Sequence, residues 1–124
     1  GGLADSIPVK RAQALGNEKI IVILTRNPGY RKKPTSRGVK SLYKRAYKKY
    51  PNLVRTAIKR SMIYNQQMEL VEKLEDEGKI FVIRPLIPTV SRLEKNYDAL
   101  MHFYEHGYRL MKRQYQALQE YMEK

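Results

Sequence analysis

The segment His102-Phe103-Tyr104-Glu105-His106 sets two imidazoles and a carboxylate in an H-x-x-E-H pattern, the inverted spacing of one class of zinc protease. On a helix, His102 and His106 share a face, which is the geometry of two ligands meeting one ion. A catalytic zinc also needs a third protein ligand and an open position. In that pattern the third ligand comes from further downstream, and the 18 residues after His106 hold only Glu120 and Glu123 as acids. The pair therefore reads as two polar residues on an amphipathic helix, and no metal site is expected.

Nucleophilic chemistry has as little to start from. The five serines, Ser6, Ser36, Ser41, Ser61 and Ser91, lie outside any G-x-S-x-G, and none falls on a strand-to-helix turn that would expose and activate it. There is no P-loop and no G-x-G-x-x-G. The chain has no cysteine, which excludes thiolate catalysis, disulfides and thiolate metal sites. No catalytic residue and no cofactor are expected within these 124 residues.

What the sequence does concentrate is positive charge. The formal net charge is +13, and between Lys19 and Met68 there are 14 Lys and Arg with no Asp or Glu. The flanking stretches are close to neutral, so the basicity is one block. Such a block attracts polyanions: nucleic acid, anionic lipid headgroups or an acidic partner surface. Within it, "YRKKP" and "KSLYKRAYKKYPNLVRTAIKR" interleave tyrosines with cations. Rings beside cations are how single-stranded nucleic acid is held. Tyr43, Tyr47 and Tyr50 also fall on the apolar stripe of a helix, however, and are expected to pack against a sheet. The lysines between them then form a solvated face. Near an anionic bilayer each such residue contributes roughly 1 kcal/mol to surface binding. The longest purely apolar run, Ile20 to Leu24, is far short of the ~20 residues of a membrane-spanning helix.

These residues need elements to hold them. Ser6 with Pro8 reads as a helix start, and Gly16 as its stop. "KIIVILTR" is continuously apolar and β-branched, which suits a strand buried on both faces. Asn27, Pro28, Gly29 and Pro34 impose a loop. A helix follows from about Val39 to Tyr50. Pro51 opens the next, which runs to about Glu77 and ends at Gly78. "KIFVIRP" is a second strand. Ser91 and Glu94 form an S-x-x-E capping box ahead of a helix from about Tyr97 to Met122. The order expected is α-β-α-α-β-α in one α/β domain, with the strands at Lys19 to Arg26 and Lys79 to Arg84 parallel across a helical crossover. Two strands alone leave open edges, so more sheet upstream is expected, and in its absence self-association through that edge.

The stretch "GGLADSIPVKRAQALGNEKIIVILTRNPGYRKKP" resembles the segment after the catalytic aspartate in bacterial patatin-like phospholipases. The matching positions, in order, are Gly1 and Gly2, Asp5 to Val9, Leu24 to Arg26, and Gly29 to Lys32. "YPNLVRTAIKRSMIYNQQMELVEKLEDEGKIFVIRP" and "RLEKNYDAL" resemble the same subgroup's C-terminal region more loosely.

The resemblance implies a fragment of a three-layer α/β fold. Residues 1–36 would close the catalytic core, and 37–124 would form a helical C-terminal region with one further strand. It implies a parent lipid acyl hydrolase with a Ser-Asp dyad. The dyad aspartate of the D-G-G motif would stand immediately before Gly1, and Gly1 and Gly2 would be that motif's remnant. The chain alone is then expected to be inactive, with the N-terminal catalytic part of the same protein as its partner. Arg31, Lys32, Lys33, Lys44, Lys48 and Lys49 are the expected contacts to an anionic lipid surface, and the location implied is cytoplasmic, peripheral on the inner membrane. The alternative is a basic nucleic-acid-binding α/β module.

Overall fold

The computed structural model describes all 124 residues. Its elements are α1 (Val9–Ala14), β1 (Ile21–Ile23), α2 (Arg37–Ala46), α3 (Pro51–Asp76), β2 (Phe81–Ile83) and α4 (Tyr97–Glu123). The chain is mixed α/β with a two-stranded parallel sheet. It forms two compact units, each discontinuous in sequence: Gly1–Asn17 with Arg31–Asp76, and Glu18–Tyr30 with Glu77–Lys124.

The first unit holds α1, α2 and α3. Along α3, Tyr64, Met68 and Val71 recur at helical spacing and are buried, and Met68 and Val71 are sealed from solvent. Gly78 follows the helix at φ +69°, a left-handed conformation that an L side chain resists. Segment 1–7 is fastened to α3 by one amide. Gln67 Oε1 accepts the Ile7 N–H at 3.2 Å, and Gln67 Nε2 donates to the Asp5 carboxylate.

Two details of this unit differ from expectation. Ser6 does not cap α1. Its hydroxyl donates to the Gly2 carbonyl at 2.9 Å, and the N-cap position is Pro8 with no side-chain cap. The reason lies in the preceding turn: the Gly1 carbonyl accepts from both Ala4 N–H and Asp5 N–H, and Ser6 completes that turn. The tyrosine stripe is also not buried. α2, capped by Ser36 at Val39 N–H, packs on α3 yet buries none of its residues fully. Tyr43 is half-buried, and Tyr47 and Tyr50, at the corner between α2 and α3, are 45% and 62% exposed.

The second unit holds β1, β2 and α4. Ile21, Val22 and Ile23 pair with Phe81, Val82 and Ile83, and Ile20 C=O and Leu24 N–H extend the ladder by one bond at each end. α4 packs against β2, with the Tyr121 and Phe81 rings 5.7 Å apart. By the alternation of a strand, Ile21 and Ile23 face the same side as Phe81 and Ile83. They are nevertheless 41% and 72% exposed. The expectation of a strand buried on both faces thus fails for β1, since α4 sits over β2 and leaves its neighbour bare.

The capping box is replaced as well. Ser91 Oγ and Glu94 Oε1 accept backbone N–H groups of residues 93, 95 and 96, within a turn ahead of the helix. Asn96 caps α4, accepting the Ala99 N–H at 3.1 Å.

Candidate functional site: a cationic groove in the α2–α3 corner

α2 ends at Ala46 with Lys44 and Arg45 in its last turn, where cations complement the helix dipole. The corner closes through Tyr50 N–H to Tyr47 C=O at 2.8 Å. α3 then starts with Pro51, whose missing N–H costs nothing in a first turn. This corner encloses an open groove of about 380 Å³. Its floor is Tyr47, Pro51, Val54 and Ile58, and its rim is Lys44, Lys48, Arg55 and Lys59. No acid lines it. The groove thus offers apolar contact below and four cations above, in the size range of small-ligand sites.

The structure sorts the six expected anionic-surface residues into three kinds. Lys44 and Lys48 are brought together on the groove. Lys33 and Lys49 are exposed away from it. Arg31 and Lys32 are committed to α3. Arg31 forms a two-pronged pair with Glu72, at 3.1 Å (Nη1–Oε1) and 2.6 Å (Nη2–Oε2). The hydrogen bond to Glu72 raises the Arg31 pKa above its ordinary value. Lys32 Nζ lies 4.1 Å from the centre of the Tyr64 ring. Its backbone is clamped on both sides by Asn65: Oδ1 accepts the Lys32 N–H at 2.8 Å, and Nδ2 donates to the Lys32 C=O at 3.0 Å.

Sequence reasoning did not find Arg55 and Lys59, which complete the rim, nor Asn65, Gln67 and Glu72, which hold the loop and the N-terminal segment. A signal existed for the last three. They are polar residues beside the buried stripe of α3, where an amide or carboxylate is kept only with a partner.

The other motif residues are tied down within the second unit. Asn27 Nδ2 donates to Pro85 C=O and Ile87 C=O at 3.2 and 2.6 Å. The Arg26 guanidinium lies 4.9 Å from the Tyr30 ring and donates to Thr89. Gly1 and Gly2 have open space where a Cβ would stand, so neither needs glycine for packing here. His106 Nε2 accepts the Leu86 N–H at 3.0 Å, which pins the loop after β2 onto α4. His102 is exposed, Glu105 pairs with Arg109, and no group of three metal-ligating side chains forms. Ser6, Ser36 and Ser91 all spend their hydroxyls on local backbone.

Fold and groove together define a small α/β chain with a cationic, apolar-floored corner. Residues 50–123 match the family described as a domain of unknown function, DUF6363, and the chain belongs to that family. No curated protein and no solved structure matches it.

Proposed function

We propose that this chain is the C-terminal portion of a patatin-like serine phospholipase, and that its cationic corner meets the anionic lipid surface on which such an enzyme works. The observation that carries the reading is the ordered set of motif residues, Asp5 to Val9, Leu24 to Arg26 and Gly29 to Lys32. Several of these residues have a structural task. Asp5 and Ile7 bind Gln67, Leu24 N–H bonds to Ile83, and Arg31 and Lys32 bind α3. In the parent enzyme a serine from outside this chain attacks the lipid ester carbonyl, an aspartate likewise outside it takes the serine's proton as general base, and backbone N–H groups stabilise the oxyanion. This chain then contributes scaffold and surface contact rather than chemistry.

The decisive observation is the gene sequence immediately upstream of the Gly1 codon. An aspartate codon there, with G-x-S-x-G further up, is the expected result, and any other residue removes the assignment. Hydrolysis of a short-chain nitrophenyl ester by the 124-residue chain itself, lost on mutating one of its own serines, also overturns the reading.

One observation favours a second reading. The exposed rings of Tyr47 and Tyr50 stand beside Lys48 and Lys49, the pairing that stacks single-stranded nucleic acid. Salt-dependent binding of an oligonucleotide that is weakened by Tyr47→Ala, with no preference for anionic over neutral vesicles, selects that alternative.

A further inference from the structure

α4 carries two apolar stripes, one turned inward and one only partly covered. The first, through Phe103, Leu110 and Tyr121, is turned inward. The second follows a strict 4–3 spacing over the whole helix. Tyr97, Tyr104, Met111 and Leu118 occupy one heptad position, and Met101, Tyr108, Tyr115 and Met122 the other. All eight are apolar or aromatic. At about 100° per residue the second stripe lies roughly 130° from Phe103 and Leu110 and roughly 80° from Tyr121. The four tyrosines of the second are 71%, 64%, 56% and 55% exposed and Met122 is 49% exposed, while Met101, Met111 and Leu118 are half-buried.

We infer that this second stripe is a coiled-coil seam, and that its occupant is α4 of a second copy of the chain, running antiparallel. The repeat points to a helical partner, because a 3.5-residue apolar period keeps one face against a neighbouring helix over many turns. Charge selects orientation. In an antiparallel pair centred near Leu110, residues flanking the seam meet so that Glu105 faces the partner's Lys112, twice by symmetry. A parallel pair sets Glu105 beside Leu100 instead and forms no such ion pair. Both groups are poised at the seam edge: Lys112 Nζ lies 4.8 Å over the ring of Tyr108, and the Glu105 carboxylate is exposed, with a 3.3 Å bond to Arg109.

Size selects the same orientation. Antiparallel layers place Tyr108 with Met111 and Tyr97 with Met122, a ring against a flexible thioether, and Met101 with Leu118, leaving Tyr104 with Tyr115 as the one kind of ring-on-ring layer. A parallel pair stacks Tyr97, Tyr104, Tyr108 and Tyr115 each on its own copy.

The test uses the 124-residue chain in analytical ultracentrifugation. A concentration-dependent rise toward twice 14.6 kDa is expected. E105K or K112E alone should weaken the dimer about tenfold, and E105K/K112E together should restore it, since reversing a charge pair turns attraction into repulsion. Both sites are exposed, and circular dichroism verifies that each variant is folded. Orientation is read by cysteine, of which the chain has none. A mixture of Tyr97→Cys and Met122→Cys chains should oxidise to mixed disulfides. A chain that stays monomeric, Tyr97→Cys chains that cross-link to one another in preference, or a double reversal that fails to restore the dimer, each overturns the inference. A monomer whose tyrosines are buried only by vesicles assigns the stripe to lipid and overturns it too.

Discussion

Tyr121, near the end of α4, accepts the backbone N–H of Ile20 at 3.0 Å, across 101 residues of sequence. The same hydroxyl lies 3.3 Å from Ile20 C=O and 3.1 Å from Lys79 C=O, so it bridges the segments just ahead of β1 and β2. Its ring lies against Phe81 at a tilt of 38°, and Lys19 Nζ lies 4.9 Å from its centre. One side chain thus sets the spacing at which the two strands begin to pair.

Tyr121→Phe keeps the ring contact and removes the bridge. It leaves the Ile20 N–H without its partner, at a cost of about 1–3 kcal/mol. Chemical denaturation should show that loss with an unchanged slope. An unaltered midpoint would mean that the hydroxyl is not structural.

Gln67 ties α3 to the Asp5–Ile7 segment described above. Gln67→Leu should speed amide exchange at Ile7 several-fold and leave the middle of α3 protected. Gln67→Glu should destabilise more at neutral pH, because it sets a carboxylate against Asp5. Equal protection at Ile7 in all three proteins would contradict this.

Arg31→Lys keeps the charge but cannot make both bonds to Glu72, and should cost about 1 kcal/mol at this partly exposed site. The sign of the pH effect follows from the raised Arg31 pKa. Its contribution is complete below the ordinary arginine pKa and is lost only as pH rises through the higher folded value. Both lie far above neutrality, so the Arg31 side of the pair predicts the same cost at pH 6 and pH 8. Denaturation at the two pH values checks it.

Binding to anionic vesicles should fall steeply with salt and should depend on the groove. Lys44→Glu with Lys48→Glu should weaken it at least tenfold. Arg31→Lys should change it less than twofold, since that guanidinium is engaged with Glu72. Vesicle co-sedimentation decides, and equal binding to neutral and anionic vesicles would count against the surface role.

The two histidines should behave differently. His106→Ala removes the acceptor of the Leu86 N–H and should cost about 1 kcal/mol, whereas exposed His102→Ala should be neutral. Stoichiometric zinc retained after dialysis and lost with either variant would refute this division of roles.

The helices and strands were legible in the sequence where the signal is local. The β-branched runs at Ile20 to Leu24 and Ile80 to Ile83 specify strands, Pro51 opens α3 and Gly78 ends it. The parallel pairing followed from the helical crossover between the runs. The charge block is likewise a property of composition alone. Ser6, Ser91 and Glu94 misled because a hydroxyl or carboxylate before a helix bonds to whichever backbone N–H or C=O comes within reach, and a turn supplied one first.

Only the tertiary structure decided which partner each polar group has. Arg31 and Lys44 are alike as residues in a basic block, but one meets Glu72, 41 residues away, and the other lines a groove. Likewise Ile21 and Val22 are neighbours of similar hydrophobicity but face opposite sides of the sheet, and on the side that Ile21 shares with Phe81, α4 covers β2 and leaves Ile21 exposed, while Val22 is buried. Spacing along a chain encodes which residues share a face. What lies opposite that face depends on contacts tens of residues distant, and those set the site.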